Sequence, residues 1–175
     1  VTTPSGFDAA PGQFVKLSAT IDGETVSRFY TISSADTDGT FELTVSYDRE
    51  EGGEFSEYLL SLRAGDSITI TGPFGNDYYE GEDRVVVLAG GPGIGPAVAI
   101  AERAIADGGT AAIVYRDEEP LHEDRLSALS AAAADVFILT EGTDLTDAVA
   151  DVYTGDDDEQ LFIYGFSDFL EEADA

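Results

Sequence analysis

The hydrophobic pattern of this 175-residue chain changes period once, near residues 77–84. Before that point, apolar residues alternate with polar ones in short runs at residues 14–17, 29–32, 41–45 and 67–70, while residues 55–62 have helical spacing. Alternation of this kind between Gly and Asp turns is typical of antiparallel strands. So small a unit removes its exposed strand edges by closing into a barrel. We therefore predict an antiparallel β-barrel domain over residues 1–78.

After the change, solid apolar strands alternate with helical segments. The strands are predicted at residues 85–89, 111–115, 136–139 and 161–164, and the helices at residues 96–107, 123–133 and 144–152. Pro96 suits the start of a helix because its missing N–H is not needed in the first turn. This alternation indicates a parallel sheet wrapped by helices. The predicted fold class is thus two-domain, an antiparallel β-barrel followed by a parallel α/β nucleotide-binding domain over residues 83–175.

The charge of the chain is strongly acidic. Thirty-six Asp and Glu residues face eight Lys and Arg, the formal net charge is −28, and Lys16 is the sole lysine. At ordinary ionic strength the Debye length is about 10 Å and so much like charge expands a compact chain, whereas molar salt shortens that length to about 3 Å. We infer a halophilic protein of a salt-rich cytoplasm; the alternative is an ordinary acidic protein.

Composition also excludes several function classes. Nucleic acids and anionic membranes require clustered Lys and Arg, which this chain lacks. Without cysteine there is no disulfide, no thiolate-bound iron–sulfur cluster and no cysteine nucleophile. With His122 as the single histidine we expect no metal site, and we place this residue on a solvated loop. No apolar run approaches the roughly 20 residues that span a bilayer, so we expect a cytoplasmic protein.

Residues 28–34, Arg-Phe-Tyr-Thr-Ile-Ser-Ser, place a guanidinium, an aromatic ring and a hydroxyl on one predicted strand. Arg28 and Tyr30 share a face because side chains alternate along a strand. These groups match a phosphate, a flat ring and a polar ring edge, and a charge-assisted contact from arginine contributes roughly 1.5–3 kcal/mol. Taken alone, the segment is equally well explained as an ordinary strand that contains an arginine.

Two further segments could receive phosphate groups. Ser56 lies near a predicted helix start, where free amides and the helix dipole attract anions, although a simple serine N-cap explains it as well. Residues 90–96, Gly-Gly-Pro-Gly-Ile-Gly-Pro, join a strand to a helix. Glycines there let the backbone approach a pyrophosphate, and the helix presents its N-terminus to it.

In this order the segments resemble the motifs of the ferredoxin-NADP reductase family. Residues 28–34 are similar to the Arg-x-Tyr-Ser/Thr flavin motif of that family. Residues 53–59 are similar to its Gly-x-x-Ser-x-x-Leu segment, and residues 90–96 are similar to its Gly-Gly-Thr-Gly-Ile-Ala-Pro nucleotide loop. Two positions depart from the family pattern: Pro92 replaces a threonine, and Tyr164 replaces the cysteine of a Cys-Gly-Pro segment. The resemblance extends from Gly12 to Gly165.

The resemblance implies that FAD binds mainly to the barrel and NAD(P)H to the C-terminal unit. Tyr30, Thr31 and Tyr164 are the implied catalytic residues, with Tyr30 covering the flavin ring, Thr31 bonded near its N5 atom and Tyr164 beside the nicotinamide. The implied cofactor-binding residues are Arg28 and Phe29 with Tyr30 and Thr31, the main chain of Thr44, Val45 and Ser46, the pyrophosphate segment Gly53, Phe55 and Ser56, and the nucleotide residues Gly91, Pro92, Gly93, Arg116, Gly165 and Phe166.

The implied activity is hydride transfer from NAD(P)H to flavin, with electrons passed to an unidentified acceptor that could be a redox protein. Acidic residues 117–119, directly after Arg116, would repel a 2′-phosphate and so favour NADH. Two alternatives stay open: an electron-transfer subunit of a larger redox complex, and a non-catalytic flavin-binding module, which Pro92 and Tyr164 would suit.

Overall fold

The computed structural model describes residues 1–45, 53–140 and 143–173, except for the side chain of Glu172. Its first part contains the strands β1 (Phe14–Ile21), β2 (Glu24–Thr31) and β3 (Thr69–Phe74) and the helix α1 (Glu54–Ser61). The strands form an antiparallel sheet in the order β2-β1-β3. Asp22 and Gly23, both with positive φ, connect β1 to β2, as the preference of Asp-Gly for two-residue hairpin turns predicts.

Alternation along these strands places the core on one side of the sheet. Val15 and Leu17 are buried and pair with Tyr30 and Arg28, so these four side chains share a face. Val15, Leu17 and Tyr30 pack in a cluster that includes Phe41, whereas Arg28 is exposed.

The segment predicted as a strand at residues 41–45 contributes one isolated bridge, at Leu43, rather than a strand within the described residues. The amide of Glu42 donates to the hydroxyl of Ser34 at 2.7 Å, and the amide of Thr44 donates to that of Ser33 at 3.0 Å. Serine side chains thus occupy donors that a strand ladder would use. With the bridges Thr2–Thr40 and Ile32–Leu43, the sheet curls into a barrel-like unit.

The second part alternates strands and helices as the sequence predicts. Its elements are β4 (Arg84–Gly90), α2 (Ile94–Ala106), β5 (Thr110–Arg116), α3 (Glu123–Ala131), β6 (Asp135–Leu139), α4 (Leu145–Ala150), β7 (Glu159–Tyr164) and α5 (Ser167–Ala173). The four strands are parallel in the order β6-β5-β4-β7. This arrangement confirms the predicted fold class.

The centre of the second part is β4, which is covered on both faces. Val85 and Val87 pack beneath α2, whereas Val86 and Leu88 pack on the opposite side in a cluster with Phe169 of α5. Burial on both faces explains why the strand is a solid apolar run rather than an alternating one. Among the described residues, no helix combines the length and the apolar character that crossing a membrane requires.

Candidate functional site

The carboxyl edge of the parallel sheet gathers most of the candidate nucleotide residues. β4 lies between β5 and β7, so the chain leaves β4 towards one side and returns through β7 on the other. Ligands of open parallel sheets bind in the crevice outside such a reversal of strand order. The loops that follow β4 and β7 meet there, and they contain Gly91, Pro92, Gly93, Gly165 and Phe166.

The loop after β4 is a single 3-10 turn, Gly91–Gly93, that packs tightly against the end of β7. A Cβ atom at Gly93 would lie 2.6 Å from the carbonyl carbon of Tyr164, and one at Gly91 would lie 3.4 Å from the ring of Phe166. Gly91 has φ of 53°, which favours glycine. Phe166 is 65% exposed. Because Gly91 and Gly93 have no side chain, the loop after β4 can pack closely against the loop after β7, and no side chain from these two positions projects over the turn.

Arg116 lies at the same edge, at the end of β5. Its guanidinium donates to the carbonyl of Thr143 at 3.1 Å and lies 6.0 Å from the ring centroid of Phe169. The carboxylate of Asp117 accepts a hydrogen bond from the Tyr115 hydroxyl at 2.9 Å and another from the amide of Glu119 at 3.0 Å. Asp117, the first acid after Arg116, thus stabilises the conformation of its own loop.

The candidate flavin strand β2 divides its side chains between two faces. Arg28 is exposed and donates to the carbonyl of Ser27 at 2.8 Å. Tyr30, on the same face, is half-buried and stacks on Phe55 with ring centroids 6.4 Å apart and planes 24° apart. Phe29 points to the opposite face, so a ligand held by Arg28 and Tyr30 meets only its main chain.

The start of α1 offers main-chain donors rather than a side-chain cap. Gly53 precedes the helix, and its carbonyl accepts from the amides of Ser56 at 2.9 Å and Glu57 at 3.3 Å. Ser56 is therefore not the N-cap that sequence reasoning considered. The ring of Phe55 is buried, so only its amide can face an anion. Glu54 in the first turn opposes anion binding.

The two parts meet through a chain of hydrogen bonds. The hydroxyl of Ser33, which is fully buried, lies 2.8 Å from that of Thr44, and Oγ1 of Thr44 lies 2.8 Å from Nε2 of His122. A Cβ atom at Gly95, in the first turn of α2, would lie 2.8 Å from Cβ of Thr44. Val45 follows Thr44, whereas Ser46 lies outside the described residues. The segment after β2 thus rests on the helix that follows the glycine loop.

Sequence reasoning missed the role of His122, which it placed on a solvated loop. Burial lowers the pKa of this imidazole, and the positive charge of Arg125 lowers it further, against the opposing effect of Glu42 and Glu102. Arg125 donates twice to Glu102 at 2.7 Å and lies 3.4 Å from Glu42 of the first part. A contact between residues so far apart in the chain leaves no local sequence signal.

Tyr164 fills a gap between the two parts. A Cβ atom at Gly12 would lie 2.9 Å from the Tyr164 hydroxyl and 2.9 Å from Cα of Tyr78. Burial raises the pKa of Tyr164, and the charge of Asp77 raises it further, so the phenol stays protonated at neutral pH. Thr31, the last residue of β2, is half-buried. The catalytic roles of Tyr30, Thr31 and Tyr164 stay predictions.

The donor set of the first part fits FAD. An exposed guanidinium at Arg28 and the amides of Glu54 and Phe55, which precede the first intrahelical bond, suit phosphate oxygens, and the half-buried ring of Tyr30 offers a stacking surface. The two acids in the first turn of α1, Glu54 and Glu57, act against an anion.

Comparison with known proteins shows what this chain is similar to in sequence. Residues 2–79 match the family model of the oxidoreductase FAD-binding domain. The chain is 39% identical over 101 residues to the glycine betaine monooxygenase reductase subunit of Pseudomonas aeruginosa, which covers 56% of this chain and 27% of that protein. It is 34% identical over 128 residues to the toluate 1,2-dioxygenase electron transfer component of Pseudomonas putida, covering 69% of this chain and 37% of that protein. The chain spans less than half the length of either curated relative.

Solved structures extend the likeness of fold to both parts. The flavohem-like FAD/NAD-binding domain of nitric oxide dioxygenase from Vibrio cholerae matches with a TM-score of 0.76 and 20% identity, over 95% of this chain and 78% of that one. Ferredoxin-NADP+ reductase from Plasmodium falciparum, as its H286L mutant with 2′P-AMP, matches with a TM-score of 0.72 and 15% identity, over 98% of this chain and 85% of that one. Residues 2–79 thus match the oxidoreductase FAD-binding domain, and the two parts together have the fold of the ferredoxin-NADP reductase structure.

Proposed function

We propose that this chain is an FAD-dependent oxidoreductase that takes a hydride from NAD(P)H and passes the electrons to an acceptor protein. NAD(P)H leaves as NAD(P)+, the proton of the transferred hydride is released to solvent, and the two electrons pass to the acceptor. When bound, FAD supplies the redox chemistry, and the protein supplies binding and orientation. The reductase and electron-transfer names of the two curated relatives support this proposal.

One observation carries it: the candidate flavin strand and the candidate nucleotide loop share a boundary. Gly95 abuts Thr44 and Ser33, and Gly12 abuts the hydroxyl of Tyr164. A side chain at Gly95 or Gly12 would push the two parts away from each other. Holding two reactants in a fixed relation is the main contribution a protein scaffold makes to such a transfer. The contacts therefore suit a reaction between two ligands, one on each part.

The proposed roles follow the placement of each residue. Arg28 and the amides near Gly53 hold phosphate oxygens of FAD, Tyr30 covers the ring, and Thr31 bonds to its polar edge. The remaining members of the proposed site are Phe29 through its main chain, Thr44, Val45, Ser46, Phe55 and Ser56 towards FAD, and Gly91, Pro92, Gly93, Arg116, Gly165 and Phe166 towards the nucleotide. Pro92 has no N–H, so the amides of its neighbours replace a donor at that point.

We further propose a flavin-binding domain at residues 1–78 and a nucleotide-binding domain at residues 83–175. The match of the FAD-binding family model to residues 2–79 supports the first boundary. The acids after Arg116 favour NADH over NADPH, because they repel a 2′-phosphate. Tyr164, with its raised pKa, positions the nicotinamide as a neutral side chain and transfers no proton.

The composition supports a halophilic, cytoplasmic setting for this reaction. A net charge of −28 on 175 residues is compatible with a compact fold when molar salt screens the repulsion. We propose that the protein operates in a salt-rich cytoplasm.

The affinity for FAD tests the flavin half of the proposal. Arg28→Ala should weaken FAD binding about tenfold or more, because a charge-assisted contact to phosphate is lost. Titration of apoprotein with FAD, followed by quenching of flavin fluorescence, measures this affinity. Arg103→Ala is the matched control, since Arg103 is an exposed arginine on α2 paired with Asp107 at 2.9 Å. An Arg28→Ala affinity within a factor of two of the wild type would contradict the assignment.

A further inference from the structure

Three side chains form a line of hydrogen bonds across the boundary between the two parts. Oγ of Ser33 lies 2.8 Å from Oγ1 of Thr44, which lies 2.8 Å from Nε2 of His122. Ser33 and Thr44 follow β2 in the first part, and His122 directly precedes α3 in the second. Each of the three groups can donate or accept, so the direction of these bonds depends on where the protons lie. We call these three side chains the boundary network.

Burial determines the direction of the boundary network. Ser33 is fully buried, and its Oγ already accepts a hydrogen bond from the amide of Thr44 at 3.0 Å. Within the described residues, Oγ1 of Thr44 is the acceptor that the structure offers to the Ser33 hydroxyl. A buried donor without an acceptor is costly, so Ser33 donates to Thr44. The Thr44 proton must then point to Nε2 of His122, which accepts it and carries no proton of its own.

The packing of α2 limits how these hydroxyls can turn. A Cβ atom at Gly95, in the first turn of α2, would clash with Oγ of Ser33 and with Oγ1 of Thr44. A water molecule needs at least as much room as such a methyl group, so none fits between the two hydroxyls and the helix at this point. The Ser33 proton therefore finds no solvent acceptor on the side of α2.

Protonation of His122 reverses the boundary network. Nε2–H then donates to Oγ1 of Thr44, whose proton turns towards Ser33. Oγ of Ser33 accepts a second hydrogen bond, and its own buried proton loses its acceptor. The segment that contains Thr44 can move to relieve this loss, because it makes one isolated bridge, at Leu43, and belongs to no described strand. The imidazolium is therefore incompatible with the observed position of this segment.

The surroundings of His122 keep its imidazole neutral. Burial has the largest effect and lowers its pKa below the ordinary value of 6.5, and the positive charge of Arg125 on α3 lowers it further. Glu42 of the segment after β2 and Glu102 of α2 act in the opposite sense. Arg125 lies 2.7 Å from Glu102 and 3.4 Å from Glu42, so it offsets the charge of both acids. The form that the boundary network requires is thus the one present at neutral pH.

We propose that His122 is a positioning residue for FAD: its neutral imidazole, acting through the hydroxyl of Thr44, holds the segment whose main chain receives the cofactor. This inference rests on the proposed function, which places the main chain around Thr44 against FAD. FAD and the neutral imidazole then favour the same position of that segment. Because such coupling is reciprocal, FAD favours the neutral imidazole by the same factor by which the neutral imidazole favours FAD.

The titration of His122 tests this proposal, because the chain has a single histidine and thus one imidazole C2–H signal. Proton NMR in molar KCl, from pH 8 to pH 4.5, gives the titration midpoint with and without saturating FAD. Bound FAD should lower the midpoint by about 0.5–1 pH unit, which corresponds to a roughly threefold to tenfold preference for the neutral form. The negative charge of FAD alone would raise the midpoint, so the sign of the change separates the two causes.

Two threonine variants show whether the effect passes through the boundary network. Thr44→Val keeps the main chain and the shape of the side chain but removes the hydroxyl, so FAD should no longer lower the midpoint of His122. Thr110→Val is the matched control, since Thr110 is an exposed threonine at the start of β5, and it should behave as the wild type. A midpoint that FAD lowers equally in Thr44→Val would overturn the proposed route.

The affinity for FAD at pH 8 and pH 5 gives an independent measurement, with the fold checked by circular dichroism at both. The wild type should bind FAD more weakly at pH 5, whereas His122→Asn, which does not titrate, should bind it equally at both. The inference is overturned if bound FAD raises the midpoint or changes it by less than about 0.2 pH unit, or if His122→Asn keeps the pH dependence of the wild type. Bound FAD that NADH does not bleach would contradict the proposed function alone, and protein that takes up no FAD would contradict both.

Discussion

Nε2 of His122 lies 2.8 Å from Oγ1 of Thr44, and this contact joins the start of α3 to the segment that follows β2. His122 adopts a left-handed backbone conformation with φ of 56°, which is uncommon for a residue other than glycine. A residue is kept in such a conformation when surrounding contacts hold it. The hydrogen bond to Thr44 and the packing at the boundary provide those contacts.

We predict that acidification weakens the protein through His122. Burial and Arg125 hold the pKa of the folded imidazole below its ordinary value of 6.5, while Glu42 and Glu102 act in the opposite sense. The unfolded chain therefore binds a proton that the native state resists, so the free energy of unfolding falls as the pH drops below about 6.5. The stabilisation that comes from the neutral imidazole of His122 is fully present above that pH.

Urea unfolding at pH 8, 6.5 and 5.5 measures this dependence, and His122→Asn is the informative variant because asparagine tolerates the left-handed conformation. The variant should lose about 1 kcal/mol at pH 8, the usual contribution of one hydrogen bond, and should show a smaller loss between pH 6.5 and 5.5 than the wild type. Equal pH slopes for the two proteins would contradict this account.

Gly95 should tolerate no side chain. A Cβ atom there would lie 2.8 Å from Cβ of Thr44 and closer still to the hydroxyl of Ser33. We expect Gly95→Ser to lower the free energy of unfolding by about 2 kcal/mol, because overpacking at a tight contact costs about 1–3 kcal/mol. Gly53→Ser is the matched control, since a Cβ at Gly53 would meet no described residue other than its chain neighbours within 4 Å. Equal stability of the two variants in urea unfolding would rule out close packing at Gly95.

The buried carboxylate of Glu159 should set the acid limit of the second part. It accepts hydrogen bonds from Nε of Arg84 at 2.8 Å and from the amides of Thr154 and Gly155 at 2.9 Å, and its side chain is fully buried. Burial opposes its charge, but the hydrogen bonds from Gly155 and Arg84 prevail and lower the pKa below 4.5. The ionised carboxylate of Glu159 therefore stabilises the fold fully above about pH 4.5, and this stabilisation is lost as the pH falls through the pKa of the folded state.

Glu159→Gln should lower the free energy of unfolding by about 2 kcal/mol at pH 7, because it removes the charge opposite a partly buried Arg84. Thermal unfolding at pH 7 and pH 4 should show that the difference from the wild type shrinks at the lower pH. Asp157→Asn replaces an exposed acid two residues earlier and should leave the thermal stability unchanged at both pH 7 and pH 4. A difference that stays constant with pH would show that the carboxylate charge contributes nothing.

Salt should determine how compact the chain is. With a net charge of −28, repulsion acts over about 10 Å at ordinary ionic strength and over about 3 Å in molar KCl. Small-angle scattering in molar KCl should give a radius of gyration of about 16 Å, as expected for a compact chain of this length. Dialysis to low salt should increase the radius and reduce the circular dichroism signal. Unchanged values would contradict the proposed adaptation to salt.

The fold could be predicted from the sequence where local pattern carries the information. Alternation places Val15 and Leu17 on the core side of β1, and the solid apolar run of β4 predicts a strand buried on both faces. Helix and strand bounds differ by a few residues, as with α2, which begins at Ile94 rather than Pro96 after the 3-10 turn. Local periodicity thus predicts the antiparallel sheet of the first part and the parallel sheet of the second.

The candidate site could be predicted only in part from local sequence pattern. Alternation correctly put Arg28 and Tyr30 on one face, because the relation is local. The contact between His122 and Thr44 joins residues 78 positions apart, and the contact of Tyr164 with Gly12 joins opposite ends of the chain. Such contacts depend on how the two parts pack, which no spacing rule within one segment encodes. The absence of acids from the side of the sheet β2-β1-β3 opposite the core became visible only when the register of the three strands was known.

The most direct test of the central claim is an anaerobic absorbance titration of the protein, reconstituted with FAD in molar KCl, with NADH and then NADPH. The account predicts that protein-bound flavin forms and that its visible band bleaches with about one equivalent of NADH, and more weakly with NADPH. Bound flavin that neither nucleotide bleaches would contradict the reductase function and favour a non-catalytic flavin module. Protein that takes up no FAD would contradict the proposed flavin site itself.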